Sequence, residues 1–232
     1  MSSAPTRDYF SDYPFAFRLE PHKTALIPVD IQYGSASREF GLGRLLAQTG
    51  RDAVGSYRFD RIEQVVVPNV RRLLDFFRQH ELRIVHLTVG SDMPDYSDIS
   101  AHKRAFTRAK NNTRGQREHE ILDEIKPLPG ELVLNKTTPS AFNSSAIESK
   151  LRSMGIEYCL FAGVSTNVCV EGTARDAADR GFHTIIVEDG CAATRPEFHD
   201  MTILTFPRTY GRVASTTDVI SEITQGLQAR PA

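Results

Sequence analysis

Five short runs of apolar and β-branched residues constrain this chain more than any other feature: TALIPVD (24–30), LRIVHLTV (82–89), ELVL (131–134), YCLFAGV (158–164) and FHTIIVE (182–188). Runs with so little polar alternation suit strands buried on both faces. Helical patterns separate them. Ile62, Val65, Val66, Val70, Leu73, Leu74 and Phe77 fall on one face, with Pro68 either kinking that helix or marking its start. Ser144 or Ser145 caps a segment carrying Ile147, Leu151 and Met154 that stops at Gly155. Another helix follows Asn167 and stops before Gly181, a third begins at Pro196, and GRVASTTDVISEI closes the chain with a last strand and a capped helix. Strands alternating with helices of this length predict βαβ units: an α/β fold, a mostly parallel sheet of about six strands, and right-handed crossovers.

Two segments resist this pattern. Residues 31–56, with glycines at 34, 41, 43, 50 and 55, read as a long loop or small inserted element, and residues 90–130 contain the basic stretch HKRAFTRAKNNTRGQREHE. Both leave strand ends. Ligands of open parallel sheets bind outside the carboxyl ends of the strands, so both are placed to shape a site.

At 232 residues the chain suits one domain, spanning 1–232 with an N-terminal extension over about 1–22. A formal net charge of -1 gives no global reason to bind nucleic acid or anionic membrane. The start lacks a basic segment followed by an apolar core, and no apolar run approaches the ~20 residues of a membrane span, so a cytoplasmic protein is expected. Cys159, Cys169 and Cys191 are odd in number and form no close pair, which predicts reduced thiols.

Three functional groups fall at strand ends. Asp30 ends the first run, Lys136 follows the third, and Cys169 follows the fourth at a helix start. A helix N-terminus and a neighbouring lysine both favour a thiolate. Asp30 suits the transfer of the thiol proton, and backbone N–H groups in the turn VSTNVC suit an oxyanion. Acyl transfer by this set needs neither a metal nor an organic cofactor. Taken singly, each residue has a plainer explanation: a buried cysteine, a turn-forming aspartate, a solvated lysine. Cys159 sits inside a strand pattern and reads as core; Cys191 fits either role.

ALIPVDIQ, VLNKTTPSAF and LFAGVSTNVCVEGTARDAADRGFHTIIVEDGCAA together resemble the three signature blocks of the isochorismatase-like cysteine hydrolases, in order and spacing, from about Thr24 to Val219. That resemblance implies a Rossmann-like three-layer α/β/α sandwich assembled as a homo-oligomer, a dimer or tetramer. It carries an Asp-Lys-Cys triad onto Asp30, Lys136 and Cys169. It also implies a cis peptide between Val164 and Ser165, with the N–H groups of Ser165 and Cys169 forming the oxyanion hole.

The cysteine separates this chain from true isochorismatases, and HLTVGSDMPDYSD lacks the histidine pattern of zinc-bearing nicotinamidases, so no metal is expected. What remains is similar to the ureide and amide branch of biuret hydrolases, N-carbamoylsarcosine amidases and ureidoacrylate amidohydrolases. A small-molecule amide or ureide losing ammonia is the implied substrate. The alternatives are another linkage on the same fold, such as a vinyl ether or hydrazide, or a non-catalytic binding protein. DIQYGSASREFG departs from the family pattern after Asp30, and Pro28 is unusual in a central strand. Tyr33, Phe142 and Arg208 are candidates to line the pocket, Arg208 as a carboxylate partner. His86 reads as a hydrogen-bonded core histidine. The stretch 102–117 lacks the aromatic interleaving of a nucleic-acid binder and reads as a solvated helix, lid or subunit contact, able to bring Lys103 or Arg104 to a substrate.

Overall fold

A computed structural model of the chain describes residues 15–229. Residues 1–14 of the expected N-terminal extension lie outside the described residues. In chain order the elements are β1 (Thr24–Val29), α1 (Tyr33–Ala36), α2 (Gly41–Gln48), α3 (Asp52–Arg61), α4 (Val67–Gln79), β2 (Arg83–Val89), α5 (Ala101–Ala109), β3 (Leu132–Lys136), α6 (Ile147–Ser153), β4 (Tyr158–Val164), α7 (Glu171–Asp179), β5 (His183–Ala192), α8 (Pro196–Thr205), β6 (Arg212–Ala214) and α9 (Thr216–Gln228).

The six strands pair in parallel in the order β3-β2-β1-β4-β5-β6. Alternate side chains of each central strand feed opposite faces, which makes three layers. Leu26, Leu160, Ile185 and Val187 pack under Val70, Leu73, Leu74 and Phe77 of α4 and Val219 and Ile223 of α9. Ile27, Val29, Phe161 and Ile186 pack under Ile147 and Leu151 of α6 and Ala174 and Ala177 of α7. The expected α/β/α sandwich is present, and β1, β2, β4 and β5 are largely buried as expected; the ELVL run is not, because β3 is an edge strand that leaves Val133 exposed. Cys159 and Cys191 belong to the second core face and are fully buried. His86 is buried and bonds Glu131 Oε2 through Nε2 at 2.9 Å, as a core histidine does.

Strand order reverses direction between β1 and β4, whose carboxyl ends therefore open a crevice. Pro28 is accommodated there by an interruption: β1 pairs with β4 continuously through Pro28, whereas its register with β2 skips from Leu26 to Val29. A residue without an N–H cannot complete a ladder on that side.

Of the two alternatives for residues 31–56, a long loop or a small inserted element, the structure has the second: they hold α1, α2 and the start of α3. Gly41 takes φ 47° and lies against Gly34, where a Cβ would come within 2.4 Å of the Gly34 Cα. Glycine here permits close helix packing rather than marking open loop. The helix expected from Ile62 begins instead at Asp52 and continues through a π-helical turn, Ile62–Val66, into α4. That wider turn sits immediately ahead of Pro68, whose missing N–H removes one helical hydrogen bond. α6 starts one residue beyond Ala146; Ser145 Oγ accepts from the Ile147 N–H at 3.3 Å, while Ser144 does other work described below. α9 carries a full capping box between Ser215 and Asp218.

Candidate active site

β1 ends at Val29, and Asp30 leaves it in the left-handed region at φ 55°, with its N–H on Leu87 O at 2.9 Å. β3 delivers Lys136 from the sheet edge, across β2, to the same point. Lys136 Nζ lies 2.8 Å from Asp30 Oδ2 and 3.2 Å from Thr138 O, and both side chains are essentially inaccessible at 0 and 1 % residue exposure. The loop after Lys136 is held by Ser144, whose Oγ accepts the N–H groups of Thr137 and Thr138 at 3.0 and 3.2 Å. Burial alone lowers the Lys136 pKa, but Asp30 and then Cys169 outweigh it and hold the ammonium above its ordinary value. Asp30 Oδ1 is buried and has no hydrogen bond of regular geometry. A thiol proton or a leaving amine fits that vacant acceptor.

Cys169 stands in a π-helical turn, Thr166–Val170, between β4 and α7. Gly163, at φ 136°, brings β4 so close to β1 that a Cβ would meet Val29 O at 2.1 Å, and the Val164–Ser165 peptide that follows is cis. Ser165 O accepts from the N–H groups of Val168 and Val170 at 3.0 and 3.2 Å, whereas that of Cys169 between them is not held by this carbonyl. The half-buried thiol is in side-chain hydrogen-bonding reach of Asp30 and Lys136. Burial first, then Asp30, push its pKa up to about 11 against the opposing pull of Lys136. The favourable lysine expected from the sequence is present, yet desolvation dominates, and the resting group is a thiol beside a base. The other cysteines are displaced by burial alone or chiefly so: Cys159 upward, and Cys191 up to about 12.

The sequence gives a further residue of this site no obvious marker. Arg58 of α3 is buried; Nη1 donates to Ser165 Oγ at 2.7 Å, and Nε and Nη2 donate to Ser35 O at 3.1 and 2.9 Å. Ser35 Oγ in turn donates to Asp30 O at 2.5 Å. One guanidinium thus ties the turn that carries Cys169 to the segment that carries Asp30. Burial lowers its pKa to about 10, with Cys169 and Asp30 opposing the shift, so it stays a cation at neutral pH. Its spacing four residues before Ile62 matches the buried face of the helix, but only once α3 is known to run into α4. His199 of α8 braces the same turn: Arg61, a donor only, bonds Nε2 at 3.1 Å, leaving the Nδ1 hydrogen for Thr166 Oγ1 at 3.0 Å.

Asp30, Arg58, Ser165 and Cys169 line a cavity of about 200 Å³, bordered by Lys103, Phe106, Thr107 and Lys110 of the α5 segment and by Leu42 and Ile99. The structure does not bring Tyr33, Phe142 or Arg208 to this lining. Tyr33 bonds Asp123 Oδ2 through its hydroxyl at 3.0 Å with Arg117 stacked on its ring; Phe142 packs by Phe182 under Arg180; Arg208 sits in the exposed turn after α8. Lys103 reaches the cavity, and Arg104 does not. Among the described residues no group of three or more His, Cys, Asp or Glu is gathered as a metal site, and no helix is long and apolar enough to cross a membrane.

A family model described as the isochorismatase domain matches residues 24–218. The ureidoacrylate amidohydrolase of Caulobacter segnis is 29% identical over 215 residues, covering 86% of this chain and 85% of that protein. Among solved structures, a cysteine hydrolase from Pseudomonas syringae pv. phaseolicola superposes with TM-score 0.75 at 21% identity, covering 92% of this chain and 98% of that one, a likeness of fold. N-carbamoylsarcosine amidase from Thermoplasma acidophilum superposes with TM-score 0.62 at 29% identity, covering 84% of this chain and 96% of that one.

Proposed function

We propose, for a chain that belongs to the isochorismatase family, a cysteine-dependent hydrolysis of the terminal C–N bond of a small linear amide or ureide. The observation that carries this reading is the thiol of Cys169 set against the buried Asp30–Lys136 pair at a cavity lined by Asp30 and Cys169. Relatives named for ureidoacrylate and N-carbamoylsarcosine support the choice of a ureide or amide over other linkages.

Because the resting group is a thiol, Asp30 acts as general base while Sγ attacks the carbonyl carbon. Negative charge gathers on the carbonyl oxygen, where the Ser165 and Cys169 N–H groups serve as donors. Asp30 then returns the proton to the leaving nitrogen and ammonia departs, leaving a thioester from an amide or a thiocarbamate from a ureide. Water, deprotonated by Asp30, cleaves the C–S bond and restores the thiol. Lys136 holds the Asp30 carboxylate in place through its 2.8 Å bond and balances that buried charge. Arg58 is a positioning residue: it fixes Ser165 and the Asp30 segment relative to each other.

Free thiols at all three cysteines fit a cytoplasmic enzyme. The exposed Phe198, Met201 and Leu204, three residues apart on α8, fit a homo-oligomer, which sedimentation would reveal as a mass at least twice that of the chain. The function itself is tested by ammonia release from biuret, N-carbamoyl amino acids, ureidoacrylate, maleamate and nicotinamide. A ureide or linear amide is expected to release ammonia with the native chain and not with Cys169→Ala; release that survives the substitution contradicts the proposal.

A further inference from the structure

The roof of the cavity carries cations for which the reaction above has no use. Lys103, Phe106, Thr107 and Lys110 recur at i, i+3, i+4 and i+7, the spacing of one helix face, and all four line the cavity with Cys169. The guanidinium groups of the same segment turn elsewhere. Arg104 donates to Ser97 O and Ile99 O at 3.1 to 3.3 Å, and Arg108 donates to Asp95 O at 2.6 Å. A stretch that reads as uniformly basic is therefore divided, two arginines fastening the segment and two lysines facing the site.

Those lysines have donors to spare. Among the described residues neither is engaged by a carboxylate; Lys110 Nζ rests over the Phe106 ring at 4.8 Å. Arg58, the remaining cation of the lining, is committed to Ser165 and Ser35, and the one lining carboxylate, Asp30, is committed to Lys136. An ammonium taken out of water without a counter-charge is unfavourable, and a carboxylate entering the cavity relieves that. Burial and then Arg58 lower the Lys110 pKa to about 8, with Cys169 and Asp30 opposing and Lys103 adding a smaller repulsion. Leu42, Ile99 and Phe106 make part of the lining apolar, and beside the threonine hydroxyls the lysines are its uncommitted charged groups.

We propose that Lys110 and Lys103 form an anion subsite above Cys169, so that the preferred substrate bears a carboxylate at the end away from the scissile bond. The identity of that bond rests on the function proposed above; the anion subsite stands on the cavity alone. The division of labour is then spatial: the floor does the chemistry and α5 selects charge. It also replaces Arg208 as the carboxylate partner expected from the sequence.

Competing alkylation of Cys169 by iodoacetate and iodoacetamide tests this without any turnover. Both probes put a C–S bond in place of the C–I bond and expel iodide, and they differ in the charge of the remote group. Their rate ratio at Cys169, read by peptide mass spectrometry, cancels thiol ionisation and accessibility. The iodoacetate/iodoacetamide ratio is expected to exceed that of free cysteine in the same buffer at least tenfold at pH 7. Lys110→Met should lower it at least fivefold, Lys103→Met by less, and Lys110→Arg should keep it. The groups facing Lys110 are Arg58, Lys103, Asp30 and Cys169; Lys110 itself is lowered to about 8, below Arg58 at about 10 and Cys169 at about 11. The native ratio should therefore fall between pH 7 and 9 and stay flat in Lys110→Arg. A native ratio equal to that of free cysteine, or one unmoved by Lys110→Met, overturns the subsite even if amides are hydrolysed. A high, Lys110-dependent ratio in a protein that hydrolyses no amide upholds the subsite and overturns the amidohydrolase function instead.

Discussion

Neutralising both members of the Asp30–Lys136 pair should cost the fold less than the sum of the costs of neutralising each alone. At 2.8 Å between Nζ and Oδ2, and an effective dielectric constant near 20, their attraction is about 6 kcal/mol, set against several kcal/mol of desolvation for each ion. Lys136→Met keeps the length of the side chain and strands the Asp30 carboxylate. Asp30→Asn suits the left-handed φ of 55°, which Asn tolerates, and strands the ammonium. Each single change is expected to cost about 3–5 kcal/mol in urea unfolding at pH 7, because a buried charge loses its partner. The double variant should cost less than the sum of the two by at least about 2 kcal/mol. Thiolate absorbance on the same proteins gives a second sign: Asp30→Asn should lower the Cys169 pKa and Lys136→Met should raise it. Free energies that add to within about 0.5 kcal/mol, or shifts of the thiol in one common direction, would refute the coupled buried pair.

Gly163→Ala should destabilise by more than about 3 kcal/mol in the same assay, since its φ of 136° and the contact with Val29 O leave no room for a methyl group; a loss below about 1 kcal/mol would contradict the close approach of β4 to β1. Burial pushes the Glu131 carboxyl up, but Arg78, the Leu128 N–H and His86 outweigh it and hold it near 2. A depressed carboxyl contributes stability in full above its unfolded value and loses it as pH falls through its folded value. Melting temperatures of the native chain should therefore drop more steeply from pH 4.5 toward pH 2 than those of Glu131→Gln, with parallel curves as the contrary result.

The sheet was legible because its strands are buried on both faces, so TALIPVD, LRIVHLTV and YCLFAGV stand out as continuous apolar runs. Strand order followed from helix lengths only as a parallel sheet; the switch point between β1 and β4 that brings Asp30 and Cys169 together is a long-range fact. The meeting of Asp30, Lys136 and Cys169 was legible through spacing at strand ends and through the resemblance. α3 was hidden because it is mostly polar and carries Gly55, which packs against Leu46 and Phe59. With it went Arg58, whose role is set by contacts with Ser35 and Ser165, 23 and 107 residues away. The basic character of the α5 segment was visible and Lys103 was a candidate, but Lys110 was not, because periodicity cannot say which way a helix turns when an arginine face competes for the inside. Tyr33 is near Asp30 in sequence, but α1 carries its ring outward to Arg117 and Asp123. The sign of the Cys169 shift depends on how much water the folded pocket excludes, which composition does not encode.

The central claim is a covalent intermediate on Cys169, and intact-protein mass spectrometry after rapid acid quench reads it most directly. With the best ammonia-releasing substrate of the panel, the native chain should gain the mass of the substrate less ammonia within the first turnover. The adduct should map to the peptide holding Cys169, vanish as turnover ends, and be missing from Cys169→Ala. Undiminished ammonia release from Cys169→Ala, or an adduct mapped to Cys159 or Cys191, would contradict it.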